Sequence, residues 1–321
     1  MTISFQVPLE FPELTIHSLA SPLFEFPKSI GQLKHIEKIV VYSTGLELLP
    51  KEFCDLHSLK YLDLSGSGRL RMLPDSFGCL TNLVHLDLSS SSSLQMRPNS
   101  FGNLIRLKYL NLYKCSELTI SNETFANVRS LEESHLRGTN LQKLPEDIRN
   151  LRNLEVLTVG SHSLKELPCS LGHLSRLKHM ELVYCRELKS LPDSLGLLTQ
   201  LSELKIEECG IESLPPEMQK LSNLVKLTVE SCPIRELPLK SGVEGALSRL
   251  EYLELARTEI SKICLVEGVC PSLKHLYIDG CNDLVEVGAL PPTLIKLSVQ
   301  QCDKLRKMEG LYNFTIFFRN R

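Results

Sequence analysis

Hydrophobic residues in this chain recur in one short phrase. The segment Leu59-Lys60-Tyr61-Leu62-Asp63-Leu64 reads L-x-x-L-x-L. It returns at Leu83, Leu107, Leu131, Leu154, Leu177, Leu201, Leu224, Leu250, Leu273 and Leu294, and in weaker form at Ile36, which makes twelve copies at spacings of 21 to 26 residues. Degenerate copies begin at Phe11 and Leu311. The L-x-L alternation predicts a short strand with its leucines on one face and the intervening residues on the other. Strands are expected to centre near Leu62, Leu86, Leu110, Leu157, Leu204 and Leu276. No copy can bury its apolar face alone, so neighbours must stack. Stacked strands that all run one way are parallel, and each needs a return path. That path is the second half of the unit, such as Leu70 to Leu80. There Pro74 fixes a turn, Asp75 and Ser76 suit a helical N-terminus, and Phe77 and Leu80 face inward at i, i+3. The same inward column reads Phe53, Phe77, Phe101, Phe125, Ile148, Leu171, Leu195 and Met218, a core rather than a ligand box.

A phrase of this kind, in units of 20 to 29 residues, is identified as a leucine-rich repeat. The expected fold is α/β, a leucine-rich repeat solenoid with a curved parallel sheet on the concave side and short helices and turns on the convex side. At roughly 4.8 Å per strand, about thirteen repeats give an inner arc on the order of 60 Å. Residues 1–10 are expected to be an N-terminal extension, 11–312 the repeat domain and 313–321 a C-terminal tail. The array is not uniform. Arg97 and Ser121 stand where the Leu of a Leu-Pro pair belongs, and Ser134 replaces a strand leucine. Local repacking is expected there, with Met96 and Ile120 turned inward. Near Gly242 and Gly245 the unit lengthens to 26 residues and loses its Leu-Pro signal.

Three residues beyond each strand lies a column of Ser67, Ser91, Cys115, Thr139, His162, Cys185, Cys209, Cys232, Thr258, Cys281 and Cys302. Six of the eleven cysteines stand in it, which points to small weak donors that satisfy backbone groups at the turn, with His162 a substituted turn residue. Thiols one repeat apart would have a Cα spacing that permits a disulfide, but no paired-cysteine cap flanks the array. No C-x-x-C occurs, so no metal site is expected.

Composition narrows the function. Leucine supplies 63 of 321 residues, aromatics are 6 % and tryptophan is absent. With 36 basic and 38 acidic residues, a net charge of −2 argues against a nucleic-acid partner, which calls for a basic excess. No apolar run approaches the roughly 18 residues of a membrane span. No Lys or Arg precedes Lys28, so a basic signal-peptide start is missing and a cytoplasmic location, or a nuclear one, is expected. There is no H-E-x-x-H, no G-x-S-x-G, no kinase D-F-G and no Gly-Lys dipeptide for a P-loop. Neither catalysis nor a cofactor is expected.

The unit Leu177 to Gly196, with Asp75-Ser76-Phe77-Gly78 and Leu290-Pro291-Pro292-Thr293-Leu294, resembles the repeat region of plant intracellular nucleotide-binding disease-resistance proteins. It is also similar to Ras-group leucine-rich scaffolds, which share the Leu-Pro-x-x-Ile/Leu unit. The resemblance covers about residues 10 to 312. It implies a non-catalytic protein binder for ligand sensing or autoinhibition in defence signalling, associated with a nucleotide-binding domain encoded elsewhere. A protein ligand would then sit on the concave face, with neither nucleic acid nor membrane as partner.

The outward columns offer three candidate patches. The first is Tyr61, His85, Tyr109, Tyr113, His135 and Arg137, aromatic and mildly basic. The second is Glu181, Glu203 and Glu207, extended by Glu208 and Glu230, acidic around Lys205. The third is Tyr252, His275 and Tyr277. Tyr and Arg carry large contact area with a polar handle, which suits them to interfaces.

Overall fold

The computed structural model describes residues 12–17, 23–42, 45–95, 101, 103–120, 125–239, 246–265, 269–309 and 315–319. The chain forms two compact units, Met1–Ser161 and His162–Arg321. In the first, strands β1 (Glu13–His17), β2 (Lys38–Tyr42), β3 (Tyr61–Asp63), β4 (His85–Asp87), β5 (Tyr109–Asn111), β6 (Glu133–Arg137) and β7 (Val156–Gly160) pair in sequence order, all parallel. In the second, β8 (His179–Val183), β9 (Glu203–Glu207), β10 (Lys226–Glu230), β11 (Tyr252–Glu254), β13 (His275–Tyr277), β15 (Lys296–Gln300) and β17 (Thr315–Arg319) do the same. Equivalent leucines stand in register, as in Leu62↔Leu86↔Leu110, so every repeat presents the same positions to the same face.

The return paths are short 3-10 helices, such as Lys51–Asp55, Glu146–Asn150, Cys169–His173 and Asp193–Leu197. Their start differs from the sequence expectation. In these four the N-cap is the proline, in extended conformation, whereas at Phe77–Cys79 it is Ser76 as the sequence suggests; in none does an Asp or Ser side chain make a capping hydrogen bond. Instead the proline carbonyl accepts the N–H three residues on, as in Phe53 N to Pro50 O (2.9 Å) and Leu195 N to Pro192 O (2.9 Å). Proline supplies the fixed backbone and its carbonyl the hydrogen bond, so a side-chain cap has nothing left to do. Helices of adjacent repeats pack closely over glycine. A Cβ at Gly172 would lie 2.6 Å from the Ser194 carbonyl oxygen. In the second unit's last repeats, where the Leu-Pro helix signal fades, short strands β12 (Lys262–Ile263), β14 (Glu286–Val287) and β16 (Lys307–Met308) form a second parallel sheet instead.

The core is the stack of inward columns. Phe53, Phe77, Phe101, Phe125, Ile148, Leu171, Leu195 and Met218 are all buried, and Phe77 and Phe101 have ring centroids 5.9 Å apart. Ser134 keeps the strand position of a leucine and is buried with no hydrogen-bond partner for its hydroxyl. Ile120 is half-buried. The expected departures at Met96, Arg97, Ser121, Gly242 and Gly245 lie outside the described residues.

Each strand leaves through the same turn. The second residue after the last inward side chain is left-handed at Gly66, Ser90, Lys114, Gly138, Tyr184, Glu208, Ser231, Arg257, Gly280 and Gln301. Non-glycine residues take this conformation at a cost. An inter-repeat hydrogen bond offsets that cost, as in Ser90 N to Tyr113 O (2.6 Å) and Lys114 N to Arg137 O (2.7 Å). The next residue turns inward and is the predicted small-donor column. Cys115 Sγ donates to Leu88 O at 3.1 Å, Cys281 Sγ to Leu255 O at 2.8 Å and Cys302 Sγ to Ile278 O at 2.9 Å, each reaching the strand of the preceding repeat. All eleven cysteines are free thiols. Burial pushes Cys115 up to about 12 and Cys302 up to about 11, so both stay protonated donors. One member of the column is misassigned by spacing. His162 is exposed, and Ser161 takes the buried place, donating to Leu141 O at 2.8 Å. Ser161 lacks the left-handed turn of its counterparts, which moves the inward position one residue earlier.

Candidate functional site

Because β3, β4 and β5 are in register, Tyr61, His85 and Tyr109 stand side by side on the open sheet face. Their rings stack, Tyr61 on His85 at 4.0 Å with planes 5° apart, and His85 on Tyr109 at 4.2 Å and 1°. These centroid spacings are shorter than the roughly 4.8 Å between strands, as expected for side chains on the inner side of a curve. Tyr109 meets His135 diagonally at 5.4 Å and 54°, and Lys38 Nζ lies 5.6 Å from the Tyr61 ring centroid. His135 Nδ1 is 3.2 Å from Thr158 Oγ1, and Nε2 is 3.7 Å from Glu133 Oε2.

The adjoining row is structural, with Asp63 buried and Asp87 and Asn111 half-buried. Asp63, Asp87 and Asn111 accept the N–H of Ser65, Ser89 and Tyr113 at 2.9, 2.8 and 3.0 Å, pinning the strand exits. Asn111 Nδ2 also donates to Asp87 Oδ2 at 2.9 Å. Burial between two tyrosines lowers the His85 pKa from its ordinary value, so the ring is neutral at pH 7, and two carboxylates flank it. Burial likewise raises the hydroxyl pKa of Tyr61 and Tyr109. Tyr113 and Arg137 occupy a different column from the stack. Tyr113 is exposed, with Lys114 Nζ 5.0 Å from its ring centroid, and Arg137 is half-buried at the end of β6.

In the second unit the predicted acidic patch is laced with cations. Glu203 Oε2 is 3.5 Å from His179 Nδ1, Glu207 is 2.6 Å from Lys205 Nζ, and Glu208 is 2.9 Å from Arg186. Glu230 pairs with Arg257, whose Nε also donates to Ser231 Oγ at 2.9 Å. The hydrogen bond to Glu207 raises the Lys205 pKa, with Glu181 adding its field. The face is a set of local ion pairs, not a block of one sign.

The third patch is brought together as expected. Tyr252 lies 5.0 Å from Tyr277 and 6.3 Å from His275. Burial, with Glu254 beside it, pushes Tyr252 up to about 12, and its hydroxyl is 3.2 Å from Glu254 Oε2. Sequence reasoning missed its two cationic flanks. Lys226 Nζ lies 5.2 Å from the Tyr252 centroid and Lys296 Nζ 5.0 Å from that of Tyr277. The signal was present, since Lys226 pairs with Tyr252 in register and Lys296 with His275.

Comparison with known proteins places this architecture. The model of the leucine-rich repeat region family matches residues 25–133 and 127–209, and the chain belongs to that family. A search of curated proteins gives no match. Among solved structures, a leucine-rich repeat protein of Leptospira interrogans is 25 % identical with a TM-score of 0.57, covering 86 % of this chain and 71 % of that one. A chain of the Drosophila Toll–Spatzle complex is 21 % identical with a TM-score of 0.66, covering 93 % of this chain and 49 % of that one. A chain of the complex of the Arabidopsis receptor kinase HAESA with the peptide hormone IDA and the co-receptor SERK1 is 19 % identical with a TM-score of 0.60, covering 95 % and 58 %. Among the described residues no helix is long and apolar enough to cross a membrane.

Proposed function

We propose that the chain is a non-catalytic module that binds a polypeptide across the open face of its sheet. The observation that carries this reading is the Tyr61–His85–Tyr109 stack. Three rings hold each other in place before any partner arrives, so little side-chain entropy remains to be lost on binding. Two of the three rings are tyrosines, one of the residue types that concentrate binding energy at interfaces. Structures of the same fold solved with Spatzle and with a peptide hormone support a protein or peptide as the ligand class.

The finer reading is ligand sensing or autoinhibition in plant-type intracellular defence signalling, in the cytoplasm or nucleus, with a nucleotide-binding domain as a further partner. The Leu177–Gly196 unit and the column of free, buried thiols support it. The test is capture of partners on the immobilised chain from the source organism, repeated with Tyr61→Ala/Tyr109→Ala. Truncating two central aromatics should weaken a captured partner at least about thirtyfold, the effect of a hot spot. Unchanged capture by a folded double variant would remove the first unit's stack from the interface. Recovery of a small GTPase in place of a nucleotide-binding domain would replace the receptor reading with that of a signalling scaffold.

A further inference from the structure

The 3-10 helices of consecutive repeats meet through a column of small residues. Directly after the inward side chain stand Gly31, Gly78, Gly172 and Gly196. A Cβ in this column runs into the next helix. At Gly31 it would lie 2.6 Å from the Glu52 carbonyl oxygen and 3.1 Å from Asp55 Oδ2. At Gly172 it would lie 2.6 Å from the Ser194 carbonyl oxygen and 3.1 Å from Leu197 Cδ1. The column therefore touches the same two positions of the following repeat: the residue before the inward side chain and the residue two after it.

The helix Lys51–Asp55 breaks the column with Cys54. By the same rule its neighbours in the next repeat are Ser76 and Cys79, one before and two after Phe77. Cys54, Ser76 and Cys79 do line one cavity, of about 280 Å³. Burial raises the Cys54 pKa, the Ser76 hydroxyl opposes the rise and the field of Cys79 adds to it, as close neighbours do. A disulfide needs Cβ atoms about 3.5–4.5 Å apart. A column whose Cβ meets the opposite side chain at 3.1 Å supplies that proximity, and the cavity gives the sulfurs room to turn. Cys54 is 4 % exposed, Cys79 is exposed, and both are free thiols.

We propose that Cys54 and Cys79 form a reversible disulfide site, which ties the helices of two consecutive repeats together when the surrounding thiol pool turns oxidising. The oxidant is a low-molecular-weight disulfide such as oxidised glutathione. The exposed Cys79, as thiolate, attacks one of its sulfurs, forms a mixed disulfide and releases one glutathione thiolate. The Cys54 thiolate then attacks the Cys79 sulfur and releases the second glutathione. Two thiols lose two electrons, the glutathione disulfide gains them, and both thiol protons end on the two released glutathiones. The second step is intramolecular, so Cys54 reacts although it is buried. Burial shields Cys54 from the oxidant itself, which fixes the order of the steps.

The test equilibrates the full chain in glutathione buffers of increasing oxidised fraction, blocks the remaining thiols by alkylation and maps the peptides by mass. A cross-linked Cys54–Cys79 peptide is expected, with Cys169, the other exposed thiol, carrying glutathione alone. The folded chain should close the bond at a value of [GSSG]/[GSH]² at least about tenfold lower than the chain in concentrated urea, a difference of about 30 mV. Cys54→Ser should stop at a glutathione adduct on Cys79, and Cys79→Ser should leave Cys54 unmodified. The oxidised chain should unfold at a higher urea midpoint than the reduced one, and Cys79→Ser should abolish that difference. A cross-link that forms only in urea, a folded chain that stops at the Cys79 adduct, or a bond from Cys79 to a second copy would overturn the pairing. A bond that forms without raising the midpoint would overturn the tie between repeats.

Discussion

Compare the row Tyr61, His85, Tyr109 of the first unit with His179, Glu203, Lys226 of the second. Both occupy the same outward position on three successive parallel strands. In the first, flat rings close to 4.0 and 4.2 Å and cover one another. In the second, an imidazole meets a carboxylate at 3.5 Å and a lysine turns toward an aromatic ring on the next strand. The buried turn column differs in parallel, mixing hydroxyls with a single thiol from Ser67 to Thr139 and reading mostly cysteine from Cys185 to Cys302. The scaffold fixes where a side chain stands and leaves free what it does there. One unit has a row shaped by ring packing. The other has a face shaped by charge.

The scaffold beneath should be indifferent to that contrast, and large truncations test this first. Phe77→Ala in the first unit should cost about 3–5 kcal/mol and Leu204→Ala in the second about 2–5 kcal/mol, read from urea unfolding. A negligible cost in either unit would mean that its inward column is not the core. A close backbone approach comes next. Gly172→Ala sets a Cβ against the Ser194 carbonyl and should cost about 1–3 kcal/mol, with the loss visible first as weakened amide protection in residues 169–173.

Side chains on the open faces give smaller effects that sharpen the comparison directly. Tyr109→Ala removes a stacked contact worth about 0.5–1.5 kcal/mol, and 1 M salt should leave that loss unchanged. Glu207→Gln should cost under about 1 kcal/mol, and salt should erase most of it. If both losses respond to salt alike, the faces do not differ in the way described. The smallest effect is on pH. Burial holds the native His85 pKa below the ordinary 6.5 of the unfolded chain, so the unfolded state takes up this proton first. The stability owed to His85 is complete above about 6.5, falls as pH drops from there to the native pKa, and then levels. His85→Phe should remove that part of the acid sensitivity. Identical unfolding midpoints against pH for both chains would show that the stack places no burden on the charged ring.

Much of this was readable from the sequence. Period-two leucines mark strands because only one face is buried, and the inward phenylalanine column follows from spacing alone. What escaped depends on torsions that spacing does not encode. His162 stands at the spacing of the turn column, yet Ser161 is the residue that turns inward, because its turn omits the left-handed step. Ser76 does stand at the start of the Phe77–Cys79 helix, but its hydroxyl makes no cap, and the Pro74 carbonyl accepts the Phe77 N–H. On the faces, columns predicted neighbours but not pairings. A lysine head travels on four rotatable carbons, so whether Lys205 answers Glu207 or a ligand is settled by geometry.

The spacing of the first unit has a consequence for how such a chain changes over generations. Leu59, Leu83, Leu107 and Leu131 are separated by 24 residues each, and their strands share one register. Each repeat touches mainly the repeats on either side. Deleting residues 83–106 would bring Asn82 up to Leu107 with the same phrase and the same turn, and duplicating them would add a rung without disturbing the others. Recombination between misaligned copies therefore produces folded variants whose faces are longer, shorter or reordered. A binding surface of this construction can be edited in units of a whole strand, while single substitutions adjust it one side chain at a time.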